Sequence, residues 1–302
     1  MKKILFKGCG TAIATPFDKD GVNLEEFKKL VENQIENNID AIIVCGTTGE
    51  SATMTEQERL QTIECAVKTA KGRIPIIAGT GSNNTKAVIE MNKKVEALGV
   101  DGVLIVTPYY NKTTQAGLIE HYKTIAENTT LPIILYNVPS RTGINIKPNT
   151  CLELSKIENI VAIKEASGDL SQVAEIASLC RDELTIYSGN DDQIVPVLSV
   201  GGKGVISVLS NIKPKYTHDM CYKFFEGDIK TATQMQINVI SLVKELFSEV
   251  NPIPIKAALN IIGYNFGTPR LPLVEMSEKA KENLRKCLTE LKYRCIIFKY
   301  EF

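Results

Sequence analysis

Eight short apolar runs alternate at a nearly even interval with stretches of helical pattern, within about 210 residues of a 302-residue chain. The runs begin with GTAIATP at Gly10, AIIVCG at Ala41, IPIIAG at Ile74 and GVLIVTP at Gly102. PIILYNVP at Pro132, IVAIKEA at Ile160, LTIYSG at Leu184 and KGVISVL at Lys203 complete the series. Unbroken apolar character suits strands covered on both faces, and a helix between each pair suits parallel neighbours, which need long crossovers. Eight such units predict an α/β chain closed into a TIM (β/α)8 barrel. An open doubly wound sheet is the alternative, but GCGTAI at Gly8 lacks the third glycine of a dinucleotide loop, and no G-K-[ST] follows a strand.

Helix ends are marked. Asn23 with Glu26, and Thr55 with Glu58, have capping-box spacing, while Gly72 and Gly99 fit C-terminal stops. After about Lys213 the alternation gives way to helical pattern. YTHDMCYKFFEGD can close the barrel, and three later segments read as a C-terminal helical extension. The expected division is residues 1–227 for the barrel and active site, 228–292 for the extension, and 293–302 for an apolar, aromatic tail with no assigned element.

Thirty-five basic residues balance 35 acidic ones, so no charge footprint points to nucleic acid or an anionic membrane. Lys7 interrupts the opening apolar stretch, and no later run is long enough to span a bilayer, which places the protein in the cytoplasm. Eight cysteines are scattered without a C-x-x-C pair, and several lie in apolar contexts that suit free core thiols. His121 and His218 are the only histidines, leaving little for metal or histidine chemistry.

Barrel active sites lie at the carboxyl ends of the strands. There the sequence places GTTGES, TPYYNK, YNVPSRTG, KEASG and SGNDD. Alternation along VAIK turns Val161 and Ile163 toward the helices and Ala162 and Lys164 into the barrel. Ile134 and Tyr136 share a face in the same way, so Lys164 and Tyr136 would project toward one another. Desolvation at such a rim favours a neutral amine, which can attack a carbonyl carbon. Taken alone, a solvated lysine at a strand end fits the same letters.

The other groups are equally two-sided. GTTGES could cradle a carboxylate with backbone N–H groups and the Thr47 and Thr48 hydroxyls, or be a tight turn with threonine spacers. Arg141 offers a fork for a carboxylate or an ordinary surface ion pair. Asp191 and Asp192 fit a helix cap and first turn better than a general-acid pair, and Lys256, inside a helical segment, reads as structural.

Together GTTGE, TPYYNK, YNVPSRTG, IKEASG and GVISV, in this order, resemble the dihydrodipicolinate synthases. These belong to a superfamily of class I pyruvate aldolases that includes N-acetylneuraminate lyase. The resemblance spans Gly8 to about Leu291. It implies a Schiff base between Lys164 and pyruvate, with Thr47 and Thr48 on the pyruvate carboxylate. It also implies a proton relay of Thr48, Tyr136 and Tyr110, in which Tyr110 serves the neighbouring subunit of a homodimer or homotetramer. Arg141 would gather the carboxylate of L-aspartate 4-semialdehyde, and Gly189 and Ile206 would border the pocket. The product implied is 4-hydroxy-tetrahydrodipicolinate, on the route to diaminopimelate and lysine, formed without metal or organic cofactor.

Superfamily members share the lysine, so Arg141 and the threonine pair carry the choice of this synthase over N-acetylneuraminate lyase or a keto-sugar-acid aldolase. A metal-dependent aldolase and a non-catalytic barrel are the rivals outside the class. One departure stands out. Ser51, Ala52, Asn83 and Tyr109 match the lysine-inhibition site of some bacterial synthases, whereas Glu56, Arg59 and Ala87 replace its two histidines and glutamate. Weak or absent inhibition by lysine is the expectation.

Overall fold

The computed structural model describes the backbone of residues 2–297, with side chains through residue 290. Eight strands form the barrel wall: β1 (Gly8–Ala12), β2 (Ala41–Val44), β3 (Ile76–Gly79), β4 (Gly102–Val106), β5 (Ile133–Asn137), β6 (Ile160–Glu165), β7 (Thr185–Ser188) and β8 (Gly204–Ser207). Each pairs in parallel with the next, and β8 returns to β1, so the sheet closes as a TIM barrel. The crossovers carry α1 (Leu24–Glu36), α2 (Glu56–Ala70), α3 (Thr85–Ala97), α4 (Gln115–Ala126), α5 (Pro148–Ser155), α6 (Leu170–Cys180) and α7 (Ile194–Ser199). The next helix, α8 (Pro214–Phe225), packs on β1 and completes the outer ring.

Alternation sorts the strand residues into two cores. Ala12, Ile43, Ile77, Leu104, Ile134 and Ile206 belong to the inner cluster, while Cys9, Ile42, Ile105, Leu135, Ile163 and Val205 pack with the helices. The inner cluster is sealed at its amino end by Phe6, whose ring stacks on Tyr187 at 4.2 Å and whose carbonyl accepts from the Tyr187 hydroxyl at 2.6 Å. A Cβ at Gly10 would lie 2.7 Å from Ile43 Cδ1 and 2.8 Å from Phe6 Cζ, so any other residue there would displace these side chains.

Two expectations need correction. Val161 does not share a face with Ile163: Ile133 pairs with Ile160 but Ile134 pairs with Ala162, so Val161 is the extra residue of a β-bulge and joins the inner cluster. The box at α1 is half formed. Asn23 accepts from the Glu26 N–H, but the Glu26 carboxylate turns to Lys29 and the Asn265 N–H instead. At α2 the box is complete, with Thr55 and Glu58 exchanging both bonds.

Beyond the barrel, α9 (Ile229–Leu246) packs on α8, followed by α10 (Ile253–Ile261) and α11 (Glu278–Ile297). The last helix runs past residue 292 into the tail segment, and residues 298–302 lie outside the described residues. The seven described cysteines are free thiols, and burial pushes Cys45 up to about 12. No helix among the described residues is long and apolar enough to cross a membrane.

His121 on α4 is buried, and its Nδ1 shares a 2.9 Å hydrogen bond with Thr85 Oγ1 of α3. Burial holds its pKa down from 6.5 to about 4. Because the unfolded chain binds that proton more readily, stability present above pH 6.5 is lost as pH falls toward 4. The loss should reach roughly 3 kcal/mol. Urea titrations of a His121→Leu variant should show a shallower acid decline than wild type. Equal declines would show that His121 is not the group responsible.

Candidate active site

Lys164 is the fifth residue of β6, after the bulge, and lies between two tyrosines in register: Tyr136 on β5 and Tyr187 on β7. It is 6 % exposed, and its Nζ stands 4.5 Å from the centroid of the Tyr136 ring. The next residue, Glu165, turns outward into a polar network. Its carboxylate accepts from Asn137 Nδ2 at 2.8 Å, Gln172 Nε2 at 3.2 Å and the Ser167 N–H at 2.6 Å. Burial raises its pKa, and the hydrogen bonds from Ser167, Asn137 and Gln172 work against that shift. Gly189, after β7, donates its N–H to the Glu165 carbonyl at 2.7 Å. A Cβ at Gly189 would lie 2.5 Å from that of Ala166, so glycine is what lets the ends of β6 and β7 close up beside Lys164.

The GTTGES turn is built on a tight backbone. Cys45 and Glu50 both adopt left-handed conformations, and the Glu50 N–H returns to the Thr47 carbonyl at 3.1 Å. The turn presses against β3 so closely that a Cβ on Gly79 would lie 2.3 Å from the Cys45 carbonyl oxygen. Beneath it lies an interaction that sequence reasoning missed. Lys256 of α10, fully buried, donates to Glu50 Oε1 at 2.7 Å and to the Thr268 carbonyl at 3.1 Å. Glu50 Oε2 accepts from the Arg270 N–H at 3.0 Å. Burial lowers the Lys256 pKa, and the Glu50 charge works against that shift. Lys256 therefore anchors the threonine turn to the C-terminal extension.

Asp191 does not cap its own turn. Its Oδ2 accepts from the Val208 and Leu209 N–H groups, both at 2.9 Å, and so caps the turn after β8. Burial raises its pKa, and hydrogen bonds from Ser207 and from the Leu209 and Val208 N–H groups work against that shift. Asp192, beside it, is exposed.

A cavity of about 530 Å³ opens over the carboxyl ends of β2 to β5, and Thr47, Tyr136 and Arg141 are among its lining residues. Arg141 comes from a short helix, Pro139–Thr142, and donates from Nη2 to the Asn251 carbonyl at 3.0 Å. Thr48, 2 % exposed, accepts from Asn251 Nδ2 at 3.1 Å. Ile206 is fully buried in the inner cluster. Ser51, Ala52, Arg59 and Tyr109 line the same cavity, and Asn83 donates to the Tyr109 carbonyl at 3.2 Å. Lys164, Thr48, Gly189 and Ile206 are not among the residues lining this cavity, and neither is Tyr110, which is 92 % exposed with a left-handed backbone.

The Dihydrodipicolinate synthetase family model matches residues 5–291. The chain belongs to the dihydrodipicolinate synthetase family. It is 57 % identical over 288 residues to 4-hydroxy-tetrahydrodipicolinate synthase 1 of Clostridium acetobutylicum, covering 95 % of this chain and 97 % of that one. The Caldicellulosiruptor bescii 4-hydroxy-tetrahydrodipicolinate synthase is 56 % identical over 287 residues, with 95 % and 97 % covered. Among solved structures, the dihydrodipicolinate synthase of Thermotoga maritima superposes with a TM-score of 0.94 at 45 % identity, covering 95 % of this chain and 99 % of that one. The 4-hydroxy-tetrahydrodipicolinate synthase of Methylacidiphilum fumariolicum SolV gives 0.96 at 39 % identity, with 99 % of each chain covered. Members of this family are Schiff-base lyases, and the barrel described here has their architecture.

Proposed function

We propose that this chain condenses pyruvate with L-aspartate 4-semialdehyde through a Schiff base on Lys164, releasing 4-hydroxy-tetrahydrodipicolinate for diaminopimelate and lysine synthesis. The observation that carries the reading is a buried lysine, in register with Tyr136, at the carboxyl end of a barrel strand. The Lys164 amine adds to the pyruvate carbonyl and one water leaves. Loss of a methyl proton from the imine gives an enamine, whose carbon bonds to the aldehyde carbon while the aldehyde oxygen takes a proton. The amino group of the acceptor then adds to the imine carbon, closes the ring and returns Lys164 as free amine.

Thr47 and Thr48 hold the pyruvate carboxylate, Arg141 takes the acceptor's carboxylate, and Gly189 and Ile206 bound the pocket. Thr48, Tyr136 and Tyr110 pass protons. The exposure of Tyr110 suits a role in a neighbouring subunit, which makes a dimer the smallest competent unit and a pair of dimers the expected assembly.

Borohydride quenching in the presence of labelled pyruvate tests the reading: the label should map to the peptide carrying Lys164. Label elsewhere, or none, would overturn it. With aspartate semialdehyde and N-acetylmannosamine as competing acceptors, only the former should be turned over efficiently. Arg141→Ala should raise KM for the semialdehyde at least about tenfold, as befits loss of a charge-assisted bond, and leave KM for pyruvate within about twofold. Equal damage to both would contradict the assignment.

Feedback by lysine is expected to be weak or absent. Glu56 is ion-paired with Lys94, and Arg59 donates to the Gly79 carbonyl at 2.9 Å while adding positive charge beside Ser51 and Tyr109. Ala87 itself has no carboxylate to meet a ligand amine. Half-inhibition at or below about 1 mM lysine would refute this.

A further inference from the structure

Asn251 stands just before α10, outside the barrel, yet it touches two residues of the proposed site. Its Nδ2 donates to Thr48 Oγ1 at 3.1 Å, and its backbone carbonyl accepts from Arg141 Nη2 at 3.0 Å. The residue is 6 % exposed and lines the cavity, and its Oδ1 is buried with no hydrogen-bond partner. A threonine hydroxyl carries one hydrogen and two acceptor sites, whereas an amide nitrogen only donates. The bond from Asn251 therefore occupies an acceptor site on Thr48 and leaves the hydroxyl hydrogen to be donated elsewhere.

We infer that Asn251 is a positioning residue that fixes the direction in which Thr48 passes its proton. This rests on the Schiff-base reading above, in which Thr48 hands protons on toward Tyr136. The Arg141 contact is made by the main chain, so side-chain variants leave it available. Binding of the acceptor and transfer of the proton are thus separable at this residue.

The test compares kcat at saturating pyruvate and semialdehyde for Asn251→Ala and Asn251→Asp. Alanine frees the Thr48 hydroxyl to rotate. Aspartate keeps the shape of the side chain but only accepts, so it draws the Thr48 hydrogen backward. The expected order of kcat is wild type, then Ala, then Asp, with the Asp variant lowered at least about 100-fold, the scale of a lost proton-transfer step. KM for the semialdehyde should stay within about threefold in the Ala variant.

A packing role predicts the reverse order, because aspartate preserves shape and alanine does not. That order, or wild-type kcat in both variants, would overturn the inference. If the Ala protein does not fold, Asn251→Leu, which fills the space without a donor, takes its place. Failure of every variant to fold would also overturn it, by showing a structural role. Borohydride trapping on wild-type Lys164 keeps the two claims apart. Its absence sinks the Schiff-base reading, while its presence beside the reversed order sinks only the role of Asn251.

Discussion

Lys164→Ala is expected to lose all borohydride-dependent attachment of pyruvate and to turn over at least about 10⁴-fold more slowly, roughly 5.5 kcal/mol of barrier. The argument is chemical. Without an amine there is no imine, and without an imine the pyruvate methyl proton has only the carbonyl, a much weaker electron sink. The fully buried Lys256 cannot substitute, because it is held by Glu50 and the Thr268 carbonyl under the threonine turn. Lys164→Arg should be equally inactive, since a guanidinium stays charged and forms no such imine. Lys164→Met separates chemistry from packing: it fills the space of the buried stem beside Tyr136 and should keep near-wild-type stability with no turnover. A variant that folds, lacks Lys164 and still traps pyruvate would place the nucleophile elsewhere.

Lys256→Met is expected to cost about 3–5 kcal/mol of stability, the range for breaking a buried ion pair from one side. Glu50 and Lys256 side chains are each 1 % exposed, so neither can be rescued by water where it stands. The Phe17 ring ties the pair to its surroundings, with Lys256 Nζ 4.2 Å and Arg270 Cζ 4.0 Å from its centroid. Since Glu50 closes the GTTGES turn, the same variant should also weaken pyruvate binding. Glu50→Gln combined with Lys256→Met removes both charges and should recover part of the loss. Urea denaturation and pyruvate KM report the two effects. A change below about 1 kcal/mol in the single variant would mean that the pair is a bystander.

Much of this was legible in the sequence because burial on both faces leaves continuous apolar runs, and eight of them leave few architectures. The inward direction of Lys164 was read from parity with Ala162, and both pair in register as that parity requires. Parity failed one residue earlier. A bulge at Val161 leaves no mark in letters, since valine suits either face of the wall. The polar interior of the site was harder to see. Asn251 and Lys256 meet the second-strand turn from about 200 residues away, and nothing local in NPIPIKAAL announces a partner. Asp191 looked like a cap and is one, but for the turn after the neighbouring strand. The part proposed for Tyr110 belongs to an assembly, which one chain's pattern cannot spell out.

The stack of Phe6 on Tyr187 belongs to an interior packed with side chains, as in TIM barrels generally, and not open as a pore. On the proposed mechanism, keto acid, aldehyde, water and ring product would all pass through the carboxyl-end mouth. On that proposal, order of arrival becomes a matter of depth: what sits on the amine would enter before what reacts with it, and a finished ring would bar the next entrant until it had gone.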